Sequence, residues 1–89
     1  MKNKMHGNGV LTWSDGKKYE GEFFEDKREG RGVFVWKDGR VYNGMWSAGK
    51  QHGKGIFIKQ DGTKRVGVWE QGRNIQWLEN EDPERVFDS

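Results

Sequence analysis

The chain has 89 residues, 31% hydrophobic and 34% charged, enough for one small domain with a thin core. It has no Cys, which excludes disulfides and thiolate metal sites and favours an intracellular protein. No apolar run is long enough to cross a bilayer, and no signal-peptide core is visible at the N-terminus. The apolar content is spent on five Trp, five Phe and two Tyr, each burying a large area. Gly at 14 residues with a single Pro suits strands and tight turns. The net charge of +2 hides an asymmetry: residues 79–89 hold five acids against Arg85 (−4), leaving fifteen Lys/Arg against nine acids in 1–78 (+6). A basic body with an acidic tail points to an anionic partner, or to the tail folding back.

In chain order, residues 1–8 enter partway through a unit. His6-Gly7-Asn8-Gly9 matches Glu29-Gly30-Arg31-Gly32, yet no Tyr-x-Gly-x-aromatic run precedes it, as expected of an excerpt from a longer array. Residues 9–13 and 18–24 read as two strands joined at Asp15-Gly16, a dipeptide that predicts a two-residue type I′ turn. Asp38-Gly39 and Asp61-Gly62 repeat the turn. Six-residue links, 25–30 and 48–53, are expected to join one hairpin to the next. One more strand is expected at 75–78, and Asp82-Pro83 predicts a short helical turn within 82–87, with Val86 and Phe87 as candidate plugs.

The landmarks return at a constant offset. Tyr19 recurs as Tyr42, 23 residues on (42 − 19), and the same step carries Gly7 to Gly30 to Gly53 and Phe23 to Trp46 to Trp69. A fixed period in this range is the signature of a repeat architecture. The units are about 6–28, 29–51 and 52–74 in a sheet domain of 1–78, followed by the tail 79–89. The predicted class is all-β: an open, elongated antiparallel meander of consecutive β-hairpins.

Alternation along each strand sorts the side chains into two faces. Tyr19, Gly21 and Phe23 share one face with Gly32, Phe34, Trp36, Tyr42, Gly44, Trp46, Gly55, Phe57, Gly67 and Trp69. Rings beside glycines would form the minimal core. The reverse face carries Val10, Val33, Ile56, Val35, Ile58, Met45, Val66 and Val68, with Glu20 and Glu22 towards the N-terminus. A single sheet cannot bury both faces, so the reverse face needs a cover: the tail, another copy, or a partner.

With those landmarks in place the chain resembles the MORN-repeat family (membrane occupation and recognition nexus). The matching residues are the Tyr-Glu-Gly-Glu-Phe run at 19–23, Gly30-Arg31-Gly32 and Asp38-Gly39, then Tyr42-Asn43-Gly44-Met45-Trp46, Gly49, His52-Gly53-Lys54-Gly55 and Asp61-Gly62. The resemblance implies a hairpin per repeat, an elongated sheet and no catalytic residues or cofactors. It also implies roles as an interaction or scaffold module, cytoskeletal or ciliary, as a phosphoinositide binder, or as the targeting domain of a larger enzyme. The third unit departs from the pattern, with Arg65 at the Tyr position and Lys59 at that of Trp36.

No catalytic or metal site is expected. His6 and His52 are loop residues two repeats apart, and no helix follows the Gly-x-Gly pairs to bind a phosphate. The expected function is non-enzymatic: a partner peptide or helix received across the strands, or self-association, on Phe34, Trp36, Tyr42, Trp46, Phe57 and Trp69. Val35, Ile58, Val66 and Val68 form the alternative surface. The alternative function is anionic phospholipid binding through basic rims at Lys27, Arg28, Lys50, Lys54, Lys64 and Arg65. Nucleic acid is disfavoured because stacking needs exposed rings. The expected location is cytoplasmic, at the cytoskeleton, the cilium or a membrane periphery.

Overall fold

The computed structural model describes residues 6–87. Seven strands, β1 (Gly7–Thr12), β2 (Lys18–Phe24), β3 (Lys27–Val35), β4 (Val41–Ser47), β5 (Lys50–Ile58), β6 (Lys64–Glu70) and β7 (Arg73–Trp77), follow one another in a single antiparallel sheet. Every neighbour in the sheet is a neighbour in sequence. The body measures 48 × 28 × 23 Å, with a radius of gyration of 13.3 Å. A compact globule of this length would have about 12 Å. The open meander is therefore as expected.

The two sides of the sheet turn the chain differently. At Asp15-Gly16 the Gly16 N–H donates to the Trp13 carbonyl (3.0 Å) and the Trp13 N–H to the Lys17 carbonyl (2.9 Å). Only the glycine has positive φ (+106°). This is a three-residue loop, a type I turn followed by a left-handed glycine, and not the expected type I′ turn. The same bonds recur at Gly39 and Gly62. The two-residue turns close the other side of the sheet instead, two of them within the expected links and a third after Glu70. Glu25-Asp26 (φ 50° and 68°), Ala48-Gly49 (51° and 86°) and Gln71-Gly72 (54° and 86°) have positive φ at both central positions. Each closes a directly paired step: Phe24 with Lys27, Ser47 with Lys50, Glu70 with Arg73. The remaining link residues are strand, so β3 and β5 each run to nine residues. The last strand likewise starts earlier than expected, at Arg73.

Register explains the glycines. Gly9, Gly21, Gly32, Gly44, Gly55 and Gly67 stand opposite one another in a single row across β1 to β6. Tyr19 lies over Gly32 and Tyr42 over Gly55, where a Cβ would overlap the ring. Each hydroxyl then donates to a backbone carbonyl, Tyr19 to Glu22 (2.8 Å) and Tyr42 to Met45 (2.9 Å). In the third unit Arg65 replaces the tyrosine, and Trp77 occupies the place opposite Gly67. Tyr19, Phe23, Phe34, Tyr42, Trp46 and Trp69 form the buried cluster, with Trp13, Trp36, Phe57 and Trp77 packed at its margin.

The reverse face acquires its cover from the tail. Leu78 continues from β7 by donating its N–H to the Val66 carbonyl (2.8 Å). A 3-10 turn at Pro83–Arg85, capped by the Asp82 side chain, then packs against β6. Glu81 meets Lys54 (3.0 Å), Glu84 meets Lys64 (2.8 Å), and Glu79 pairs with Arg65. Phe87 lies under the Arg31 guanidinium, 3.6 Å from its carbon. In this half of the face Ile56 and Val66 are buried, whereas Val10 at the other end remains 56% exposed.

Candidate functional site

The aromatic face is a ladder of edge-on rings. Tyr19 and Tyr42 both meet Trp46 at 5.3 Å and near right angles, and Tyr42 meets Trp69 at 4.7 Å. The positive ring edge against the negative ring face makes this arrangement favourable beyond the area it buries. The Trp46 indole N–H donates to the Gly32 carbonyl (3.1 Å), which satisfies its polar atom inside the cluster.

Of the six residues expected to form the platform, Phe34, Tyr42, Trp46 and Trp69 are buried by their neighbours. Trp36 and Phe57 are half-exposed, and the structure places Trp77 beside them. Phe57 lies 6.3 Å from both Trp36 and Trp77, and Trp77 lies 5.7 Å from Trp69. These four rings, with Gln51 and Asn74, wall an apolar depression of about 210 Å³. A second, shallower groove of about 390 Å³ runs over the hairpin tips between Asp15, Lys17, Trp36, Lys37, Asp38 and Arg40.

The corresponding place in the preceding unit is filled. Arg28 projects from β3 over Trp46 at 4.7 Å, with Phe34 at 5.6 Å, Tyr19 at 5.9 Å and Trp13 at 6.0 Å. Its Nη2 donates to the Gly49 carbonyl (2.7 Å). Burial lowers the guanidinium's pKa from its ordinary value. Arg28 therefore acts as a structural plug. One repeat later the same position is Gln51 (28 + 23), and the rings equivalent to Trp13, Phe34 and Trp46 are Trp36, Phe57 and Trp69. Neither Gln51 nor Trp77 stood out in the strand pattern. The column Arg28, Gln51, Asn74 at constant offset was the available signal.

The expected basic rim is largely occupied. Arg28 lies in the ring cluster, and Lys54, Lys64 and Arg65 are paired with tail carboxylates. Arg65 also lies 4.0 Å from the centre of the Trp77 ring. Lys27 and Lys50 remain exposed. On the alternative surface Val66 is buried, and Val35, Ile58 and Val68 are half-buried.

Ionisable groups tune the tips and the core. The Lys17 backbone N–H holds the Asp15 carboxyl below its ordinary value. The Arg40 side chain does so for Asp38, and Thr63 for Asp61. Burial pushes the Tyr19 phenol up to about 12 and raises that of Tyr42 as well. No group of His, Asp and Glu among the described residues could hold a metal ion. No helix among them is long and apolar enough to cross a membrane.

Sequence comparison agrees with this geometry. The family model for the MORN repeat matches residues 1–18, 19–39 and 42–64, most of the chain. The protein belongs to the MORN-repeat family, whose repeats are in general non-enzymatic modules for contact with proteins or membranes. A search of curated protein sequences gave no significant match.

Proposed function

We propose that this chain is a non-enzymatic protein-interaction module that receives a partner segment on its aromatic face. The observation that carries this reading is the depression between Trp36, Phe57, Trp69 and Trp77, an apolar concavity on a face without a second layer. Aromatic residues in such a setting supply large contact area at small entropy cost. Buried Tyr42, Trp46, Phe34 and Trp69 hold the platform's shape, and the half-exposed Trp36, Phe57 and Trp77 present it. The tail neutralises much of the basic rim, which disfavours membrane docking as the main activity.

The test is affinity capture from cell extract with the wild type and with Trp36→Ser and Phe57→Ser, both checked for an unchanged far-ultraviolet spectrum. Vesicles containing a phosphoinositide are sedimented beside it. Captured protein that survives raised salt but is lost in both variants supports the reading. Capture indifferent to both substitutions, together with vesicle binding that fades with salt, would replace it with membrane docking.

A further inference from the structure

The repeat period places the depression in register with a site whose occupant is known. Subtracting 23 from Trp36, Phe57 and Trp69 gives Trp13, Phe34 and Trp46, the rings that surround the Arg28 guanidinium at 6.0, 5.6 and 4.7 Å. The accompanying charges repeat too. Lys17 lies over Trp13 at 5.8 Å while paired with Asp15 (3.3 Å). Arg40 lies over Trp36 at 5.6 Å while paired with Asp38 (2.8 Å). Even the carbonyl that anchors Arg28, on Gly49, has its counterpart in Gly72 (49 + 23).

Two things differ, the plug and the residue at the Tyr42 position, which becomes Arg65 (42 + 23). Gln51 stands where Arg28 stands, and a cavity of about 210 Å³ remains. We infer that the cage of Trp36, Phe57, Trp69 and Trp77 is a receptor for a guanidinium group, an arginine side chain presented by the partner. The inference rests on the aromatic-face reading above and names the chemistry that face selects. Ring faces attract cations through their quadrupole, and the attraction strengthens as water is excluded. A planar guanidinium also stacks on rings while donating to a carbonyl, as Arg28 does. Two cations already border the cage, Arg40 and Arg65, but each is paired with a carboxylate, Asp38 and Glu79. The first unit holds its guanidinium beside the counterpart of the Arg40 pair, Lys17 with Asp15, while Arg65, which stands where that unit has Tyr42, is neutralised by Glu79.

The experiment is a nuclear magnetic resonance titration of the full chain with a blocked pentapeptide, Ala-Ala-Arg-Ala-Ala. Two controls replace the arginine with citrulline, its neutral isostere, or with phenylalanine. The indole N–H signals of Trp36, Trp69 and Trp77 report the cage. The arginine peptide should shift them saturably, and the citrulline peptide should bind about tenfold more weakly or less. Gln51→Arg, which supplies the missing plug, should abolish the response while the chain stays folded. Arg28→Gln should open a second site, read at the Trp13 and Trp46 indoles. Equal binding of the arginine and citrulline peptides overturns the inference, as does a response that survives Gln51→Arg. If the phenylalanine peptide alone binds the cage, the aromatic face remains an interaction site and the guanidinium assignment falls. If no peptide shifts the cage indoles, the assignment falls as well.

Discussion

At the scale of single residues, the fold depends on the absence of side chains at a few positions. A methyl group on Gly32 would overlap the Tyr19 ring, and one on Gly55 the Tyr42 ring, the tyrosine supplying the nearest atoms in each case. Gly32→Ala and Gly55→Ala should each cost about 1–3 kcal/mol in urea denaturation, the range for overpacking a tight site. Gly67→Ala should cost less, because the added methyl would meet the Asn74 amide at 2.8 Å and the Trp69 and Trp77 rings at 3.0 Å, farther than the Tyr19 ring stands from a methyl at Gly32. The tyrosines themselves set an alkaline limit. Burial raises both phenols, that of Tyr19 to about 12, above the ordinary value of 10. The folded state holds these protons more tightly than the unfolded chain does. The stability that these two phenols contribute is therefore complete below pH 10 and is lost as pH climbs through the folded values. With only two tyrosines in the chain, tyrosinate absorbance should rise together with the loss of the tryptophan circular dichroism. Absorbance rising well before that loss would refute the burial assigned to them.

At the scale of the element, turn chemistry decides where the hairpins close. A two-residue type I′ turn needs positive φ twice, and the structure places that demand on Ala48-Gly49 and Gln71-Gly72. Alanine is strained there, whereas asparagine tolerates the left-handed region. Ala48→Asn should raise stability by about 0.5 kcal/mol, seen as a higher midpoint in thermal unfolding. The Asp-Gly tips owe their shape to carboxylates accepting backbone N–H groups two residues on. Their lowered pKa values mean that this support is present above about pH 4 and is lost as pH falls through the depressed values. Both turn sites were legible in the chain, but their types were not. Asp-Gly fits a two-residue loop and a three-residue one equally well. Pairing of Thr12 with Lys18 leaves room only for the longer loop between them.

At the scale of the whole molecule, the acidic tail balances a basic sheet. Glu79, Glu81 and Glu84 pair with Arg65, Lys54 and Lys64, in that order, on the surface, where each contact adds little stability by itself. The tail also packs its 3-10 turn against β6, on the half of the reverse face where Ile56 and Val66 are buried. Glu79→Gln, Glu81→Gln and Glu84→Gln together would change the net charge from +2 to +5 (16 bases less 11 acids). This triple variant should lose about 1 kcal/mol or less at low salt and nothing at high salt. It should also co-sediment with anionic vesicles more than the wild type does. Unchanged vesicle binding would show that the tail does not mask the basic residues.

The 23-residue period by itself determined the class of fold, the meander order and the two faces, because hairpin repeats obey local rules of alternation and turn placement. Tyr19 and Gly32 could be assigned to one face from spacing alone. Burial was a different matter. Phe34, Tyr42, Trp46 and Trp69 disappear into one another because rings from three strands converge, a result of register and twist that no single strand encodes. The contrast between filled and open cages was likewise decided in three dimensions. Arg28 and Gln51 differ on paper by one basic residue in a charged chain. Only the packing shows that the first occupies a ring-lined space and the second leaves its counterpart empty, since side-chain reach across strands depends on which rings stand opposite.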